Sequence, residues 1–179
     1  GCSFIVDSSK SLARLSLLLD AQNKGAAFDI CPIHLHRGPF GTINSARKRG
    51  DHVRMAAYNY IRLFFLTCQR LRGVKFLRVY YERLASNPRA EVKSIMNWLN
   101  IPLEECQFNW RDGVRRDING NDMRFSSSDS IRLDQSWRSQ LTLAQKFCIL
   151  FWTMPVRLRS FWIFRKVRFL IKPGVHPFP

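Results

Sequence analysis

Arg37 and Ser45 are the residues whose types and spacing first suggest chemistry. They lie eight positions apart in Cys31 to Ser45, CPIHLHRGPFGTINS. An apolar run, Ile30 to Leu35, is short enough for one buried strand, and Arg37 follows it. A turn at Gly38-Pro39 then leads into a helical pattern that carries Ser45. Strand, cation, turn and helix make a geometry that can hold an anion. The strand end fixes the Arg, and the turn leaves backbone N–H groups free at the helix N-terminus. The guanidinium is a planar fork that matches a phosphate bidentately, and the Ser adds a hydroxyl. An ordinary surface Arg after a strand fits the same pattern. His34 and His36 alternate along the strand and share a face, so together they can in principle bind a metal. No carboxylate or Cys partner stands at a ligand spacing, and satisfied histidines fit better.

The elements that must position these residues read as alternating strands and helices. Cys2 to Val6 is a short apolar run of strand formers, and Asp7-Ser8-Ser9-Lys10 follows it. Asp7 or Ser8 is placed to cap the next helix, with Lys10 in its first turn. Leu12, Leu15, Leu18 and Leu19 recur at helical spacing up to Gly25, and the strand at 30–35 completes a right-handed β-α-β unit. Asp51 to Leu71 is the strongest helix, with Val53, Ala57, Tyr60, Ile61, Phe64 and Cys68 on one face and Gly73 placed to end it. Val74 to Tyr81 is a further strand. Asn87 caps a helix that opens on Pro88 and carries Val92, Ile95, Met96 and Leu99 on one face.

From Ile101 to Ser130 the pattern is irregular and polar. Leu141 to Met154 is helical, and Pro155 is expected to break or kink it. Residues 155–172 mix Arg157, Arg159, Arg165, Lys166, Arg168 and Lys172 with aromatic residues and contain no acid. That composition suits an interfacial amphipathic helix, or a terminal helix packed on the core with a basic outer face. The fold expectation is a three-layer α/β domain over 1–140, its mostly parallel sheet flanked by helices. A basic helical extension over 141–172 and a proline-containing tail over 173–179 complete the division.

Four segments, in this order, resemble sulfotransferases that use 3′-phosphoadenosine 5′-phosphosulfate (PAPS). Asp7-Ser8-Ser9-Lys10 is similar to a D-S-S-K motif of carbohydrate-type members. Leu35-His36-Arg37-Gly38-Pro39 with Ser45 resembles their 3′-phosphate motif, L-x-R-D-P followed by Ser, with Gly38 in place of Asp. Tyr81-Glu82-x-Leu84 before Asn87-Pro88 resembles V-x-Y-E-D-L-x-x-x-P, with Arg83 where Asp is common. Gly120-Asn121-Asp122-Met123-Arg124, followed by Asp134-x-x-Trp137, resembles the loop and short segment of their C-terminal part.

The resemblance implies a P-loop-like sulfotransferase fold and transfer of a sulfuryl group from PAPS to a hydroxyl or amine acceptor, a carbohydrate by the type of motif. It implies that Arg37 and Ser45 hold the 3′-phosphate, with Arg124 closing over it from a turn made by Gly120 and Asn121. Tyr81 borders the adenine. Lys10 approaches the sulfuryl group, with Asp7 orienting it or taking the acceptor's proton. It implies no metal. The family's Gly-rich 5′-phosphosulfate loop, a P-R-S-G-T-like turn upstream of D-S-S-K, does not occur in the sequence. The chain therefore reads as one lacking its N-terminal portion, and inactive by itself. The family expectation for the compartment is the Golgi for a eukaryotic member and the cytoplasm for a bacterial one.

Composition limits the alternatives. At 179 residues and 46% hydrophobic the chain can bury a core of its own. A net charge of +16 calls for anionic partners. The competing reading is a non-catalytic basic module that binds an anionic membrane or a polyanion through residues 155–172. The five cysteines are scattered, with no C-x-x-C and hence no zinc pattern. No Walker lysine loop is present for a nucleotide kinase, and no zinc-finger or RNP motif for nucleic acid.

Overall fold

The structure, a computed structural model, describes residues 5–8, 11–108 and 133–170, with side chains in the last helix through Leu158. Helix α1 (Leu12–Asn23) precedes strand β1 (Ile33–His36), then helices α2 (Pro39–Lys48) and α3 (Val53–Arg70). Strand β2 (Leu77–Tyr80) follows, then α4 (Tyr81–Ser86), α5 (Pro88–Leu99), α6 (Trp137–Gln140) and α7 (Leu143–Leu170). β1 and β2 pair in parallel, with Ile33 opposite Leu77 and His36 opposite Tyr80. A parallel pair needs a crossover, and α2 and α3 supply it.

Side chains alternate across the sheet, so His34 and His36 share one face. α3 covers that face, with Phe64 and Tyr60 packed on His36 at ring-centroid distances of 5.6 and 6.2 Å. α4 and α5 pack on β2, and Val79 on the opposite face is buried. Among the described residues the sheet is two-stranded and parallel, with α3 on one face and α4 and α5 packed on β2, while Ile33 and Leu35 of β1 on the face opposite α3 are exposed.

A second core lies beside the sheet. Ile43, Ala56, Ala57, Leu141 and Ile149 are buried together, with Phe40, Val53 and Trp137 packed against them. The segment expected as a helical extension from 141 is therefore anchored: α7 packs on α2 and α3 and buries Ile149, Thr153 and Val156. α7 also runs through Pro155 without ending, so of the two outcomes expected there, a break or a kink, the break does not occur. Pro155 is on the exposed side of the helix, where water can take up the carbonyl that loses its N–H partner.

Other boundaries follow local chemistry. Asn87 caps α5 as expected, accepting from the Ala90 amide at 3.2 Å. Gly73 takes φ +79° just after α3, a conformation glycine adopts without a Cβ penalty. The strand expected at Cys2 to Val6 lies partly outside the described residues. Its described part, Ile5 and Val6, is not a strand and is almost fully exposed, and among the described residues no strand pairs with it.

Candidate functional site

Parallel register brings the site together. His36 faces Tyr80 at the ends of β1 and β2, so the next residues, Arg37 and Tyr81, meet beyond the carboxyl ends of adjacent strands. In open α/β sheets that is where ligands bind. The Arg37 guanidinium lies over the Tyr81 ring, 4.5 Å from its centroid. Its Nη2 donates to Asp134 Oδ2 at 2.7 Å. The Asp134 amide donates to the Tyr81 hydroxyl at 3.1 Å, closing a three-membered network. Hydrogen bonds from Ser136 hold the Asp134 carboxyl down to about 2, assisted by Arg37 and opposed by partial burial. Asp134 is therefore ionised throughout the neutral range.

Helix α2 supplies the floor. Gly38 is its N-cap and Pro39 its first residue. The Gly38 amide donates to Glu82 Oε1 at 2.8 Å, tying the end of β1 to α4. The Thr42 amide already bonds Gly38 O, so Phe40 and Gly41 carry the first-turn donors. Arg37 lies flat on this turn. A Cβ placed on Gly41 would come within 2.7 Å of Arg37 Nε and 3.1 Å of Nη2. The missing side chain of Gly41 is the space that the guanidinium fills.

Ser45 follows Gly41 by four residues, on the same face of α2 and about 6 Å further along its axis. Arg49, another turn on, donates from Nη1 to Ser45 Oγ at 3.1 Å. Ser45 and Arg49 thus follow at successive turns from Gly41, against which Arg37 rests, with Lys48 next to them. Tetrahedral phosphate oxygens can bridge donors one turn apart with hydrogen bonds of about 2.8 Å. The donor set, two guanidinium groups, a hydroxyl and helix-turn amides, suits a phosphate. Beside it Arg37, Gly38, Phe40, Gly41, Glu82, Asp134, Trp137 and Arg138 line a shallow cleft of about 200 Å³. That is below the volume of a nucleotide pocket but enough for a phosphate-sized group.

The remaining expected residues divide. Arg37 and Tyr81 are brought together, while Ser45 lies one turn along α2 from Gly41, against which Arg37 rests. Tyr81, expected beside the adenine, has one ring face against Arg37. Asp7 pairs with Arg14 Nε at 2.8 Å and does not cap α1; that role belongs to Ser11, which accepts from the Arg14 amide. Lys10, Gly120, Asn121 and Arg124 lie outside the described residues. Sequence reasoning missed Asp134 as the partner of Arg37, Glu82 as the tie to Gly38, Gly41 as the seat of the guanidinium, and Arg49. Arg49 was legible from its i+4 spacing to Ser45; Asp134 and Glu82 depend on tertiary contact, and Gly41 on where the nearby guanidinium comes to rest. His34 and His36 stand 6.0 Å apart by centroid, edge to face, within an aromatic cluster. Burial, then Arg78, holds His34 down to about 4 and lowers His36 in the same direction, so both are neutral above mildly acidic pH.

No family model matches the chain. A Caenorhabditis elegans protein, "Putative protein-tyrosine sulfotransferase", is 32% identical over 88 residues, covering 42% of this chain and 34% of that protein. The sulfotransferase domain from the Synechococcus PCC 7002 olefin synthase superposes with a TM-score of 0.60 and 25% identity, over 79% of this chain and 54% of that one. The architecture is therefore that of the sulfotransferase fold. By sequence and by structure the chain is similar to sulfotransferases. It spans about a third of the curated relative and about half of the solved domain.

Proposed function

We propose that this chain forms the 3′-phosphate half of a PAPS-dependent sulfotransferase. The observation that carries the reading is Arg37 seated over Gly41 in the first turn of α2, with Ser45 and its partner Arg49 following at successive turns of the helix. PAPS would supply the sulfuryl group. Arg37, Ser45 and Arg49 would grip the 3′-phosphate, while Tyr81 and Asp134 hold Arg37 at a fixed angle. In the reaction the acceptor oxygen forms a bond to sulfur as the bond to the 5′-phosphate oxygen breaks. Adenosine 3′,5′-bisphosphate leaves, and the acceptor's proton goes to a base, for which Asp7 is the candidate. The protein's contribution is positioning and preorganised positive charge.

The acceptor is a hydroxyl. A carbohydrate hydroxyl follows from the D-S-S-K resemblance, and a tyrosine hydroxyl is the second reading, supported by the name of the curated relative. These 179 residues contain no P-R-S-G-T-like turn for the 5′-phosphosulfate, so the chain alone is proposed to be inactive. The test is transfer of labelled sulfate from PAPS to an oligosaccharide panel and a tyrosyl-peptide panel. The chain alone is expected to label neither. A polypeptide extended upstream to include such a turn is expected to label one. Sulfation by the isolated 179 residues would contradict the proposed inactivity, and an extended polypeptide that labels neither would contradict the transferase reading.

A further inference from the structure

Helix α7 has two apolar faces, and among the described residues only one of them is covered. Ile149, Thr153 and Val156 are buried against the domain. On the opposite side Leu143, Phe147, Phe151, Met154 and Leu158 recur at spacings of four, four, three and four, which keeps them on one helix face. All five are between 53% and 77% exposed. The stripe runs about 22 Å along the axis. Scattered exposed apolar residues are ordinary, but a continuous stripe of this kind marks a surface that meets a partner.

The charge of the same helix identifies the partner. α7 carries Lys146, Arg157, Arg159, Arg165, Lys166 and Arg168 and no acid over its 28 residues, in a chain of net charge +16. A second copy of the chain would bring two acid-free basic helices side by side, which repel. An anionic bilayer surface offers both an apolar layer for the stripe and negative headgroups for the basic side chains. Among the described residues no helix is long and apolar enough to cross a membrane, so the fitting geometry is a helix lying in the interface. We infer that α7 docks this chain on the surface of an anionic membrane through the Leu143–Phe147–Phe151–Met154–Leu158 stripe. This inference is independent of the phosphate site, because the stripe and the α2 face share no residue.

The test is sedimentation of the full chain with vesicles of phosphatidylcholine alone and with vesicles that also contain phosphatidylserine. Binding is expected only to the second. The double substitution Phe147→Ser/Phe151→Ser is expected to weaken it at least about tenfold, with far-ultraviolet circular dichroism unchanged because both side chains are exposed. A second pair on the same stripe, Leu143→Ser/Leu158→Ser, is expected to act in the same direction. Three results overturn the inference. One is absence of binding to phosphatidylserine vesicles. Another is binding that folded forms of both pairs retain at full strength, which is attraction of charge alone. The third is a self-associated chain in analytical ultracentrifugation that these substitutions dissociate.

Discussion

Gly41→Ala separates the phosphate site from the stability of the fold. The added Cβ would stand 2.7 Å from Arg37 Nε and 3.2 Å from its Cζ, where ordinary contact begins at 3.4 Å. The guanidinium must therefore retreat by about 0.7 Å, since it is the mobile partner and the helix backbone is not. That lengthens the 2.7 Å bond to Asp134 and lifts the cation from its position over Tyr81. Loss of one charge-assisted hydrogen bond to a ligand is worth about 1.5–3 kcal/mol. Affinity for adenosine 3′,5′-bisphosphate is thus expected to fall roughly 10- to 100-fold. The helix itself gains, because Ala is favoured over Gly in a helix by about 0.5–1 kcal/mol. That gain offsets most of the weakened Arg37–Asp134 contact. The assay pairs isothermal titration with adenosine 3′,5′-bisphosphate and a thermal melt. A chain that melts within a few degrees of the unsubstituted protein but binds much more weakly supports the seat assigned to Arg37. A Gly41→Ala chain that binds with undiminished affinity would refute it.

Two further outcomes follow from the same contacts. Asp134→Asn keeps the shape and removes the charge that pairs with Arg37, two side chains that are each less than one-third exposed. It is expected to lower the unfolding free energy by about 1 kcal/mol in urea titrations at neutral pH, and an unchanged midpoint would make the pair a solvated surface contact. The acid limb of stability is expected to begin with the histidines. His34 is held down to about 4 from 6.5, so the unfolded chain binds its proton first. The stability this group contributes is complete above about pH 6.5 and is lost progressively as pH falls toward 4, about 3 kcal/mol in all. His34→Gln is expected to flatten that limb, and equal pH slopes in the two proteins would contradict it.

How much of this was legible depends on how local each contact is. The strand–Arg–turn–helix unit around Arg37, the long helix through Phe64 and the Asn87-Pro88 cap are set by neighbours within a few residues, and spacing and capping chemistry predict them. The meeting of Arg37 with Tyr81 was also within reach, since each residue directly follows a strand and parallel register aligns the strand ends. The Arg37–Asp134 bond spans 97 residues and had no local signal, although Asp134-x-x-Trp137 stood out as a motif. The role of Gly41 was hidden for another reason. A glycine inside a helical pattern reads as a mild defect, and only the position of the guanidinium shows what its missing side chain makes room for. Pro155 does not end α7, and the exposed turn around it lets water take up the carbonyl that loses its partner.

The central claim is that the Arg37–Ser45–Arg49 face recognises a 3′-phosphate. The most direct measurement is isothermal titration of the chain with adenosine 3′,5′-bisphosphate, with 5′-ADP as the ligand that lacks that group, repeated on Arg37→Ala. The account predicts a clear preference for the bisphosphate that disappears in Arg37→Ala while binding of 5′-ADP is unchanged. Equal affinity for the two ligands, or a preference that survives the loss of Arg37, would contradict it.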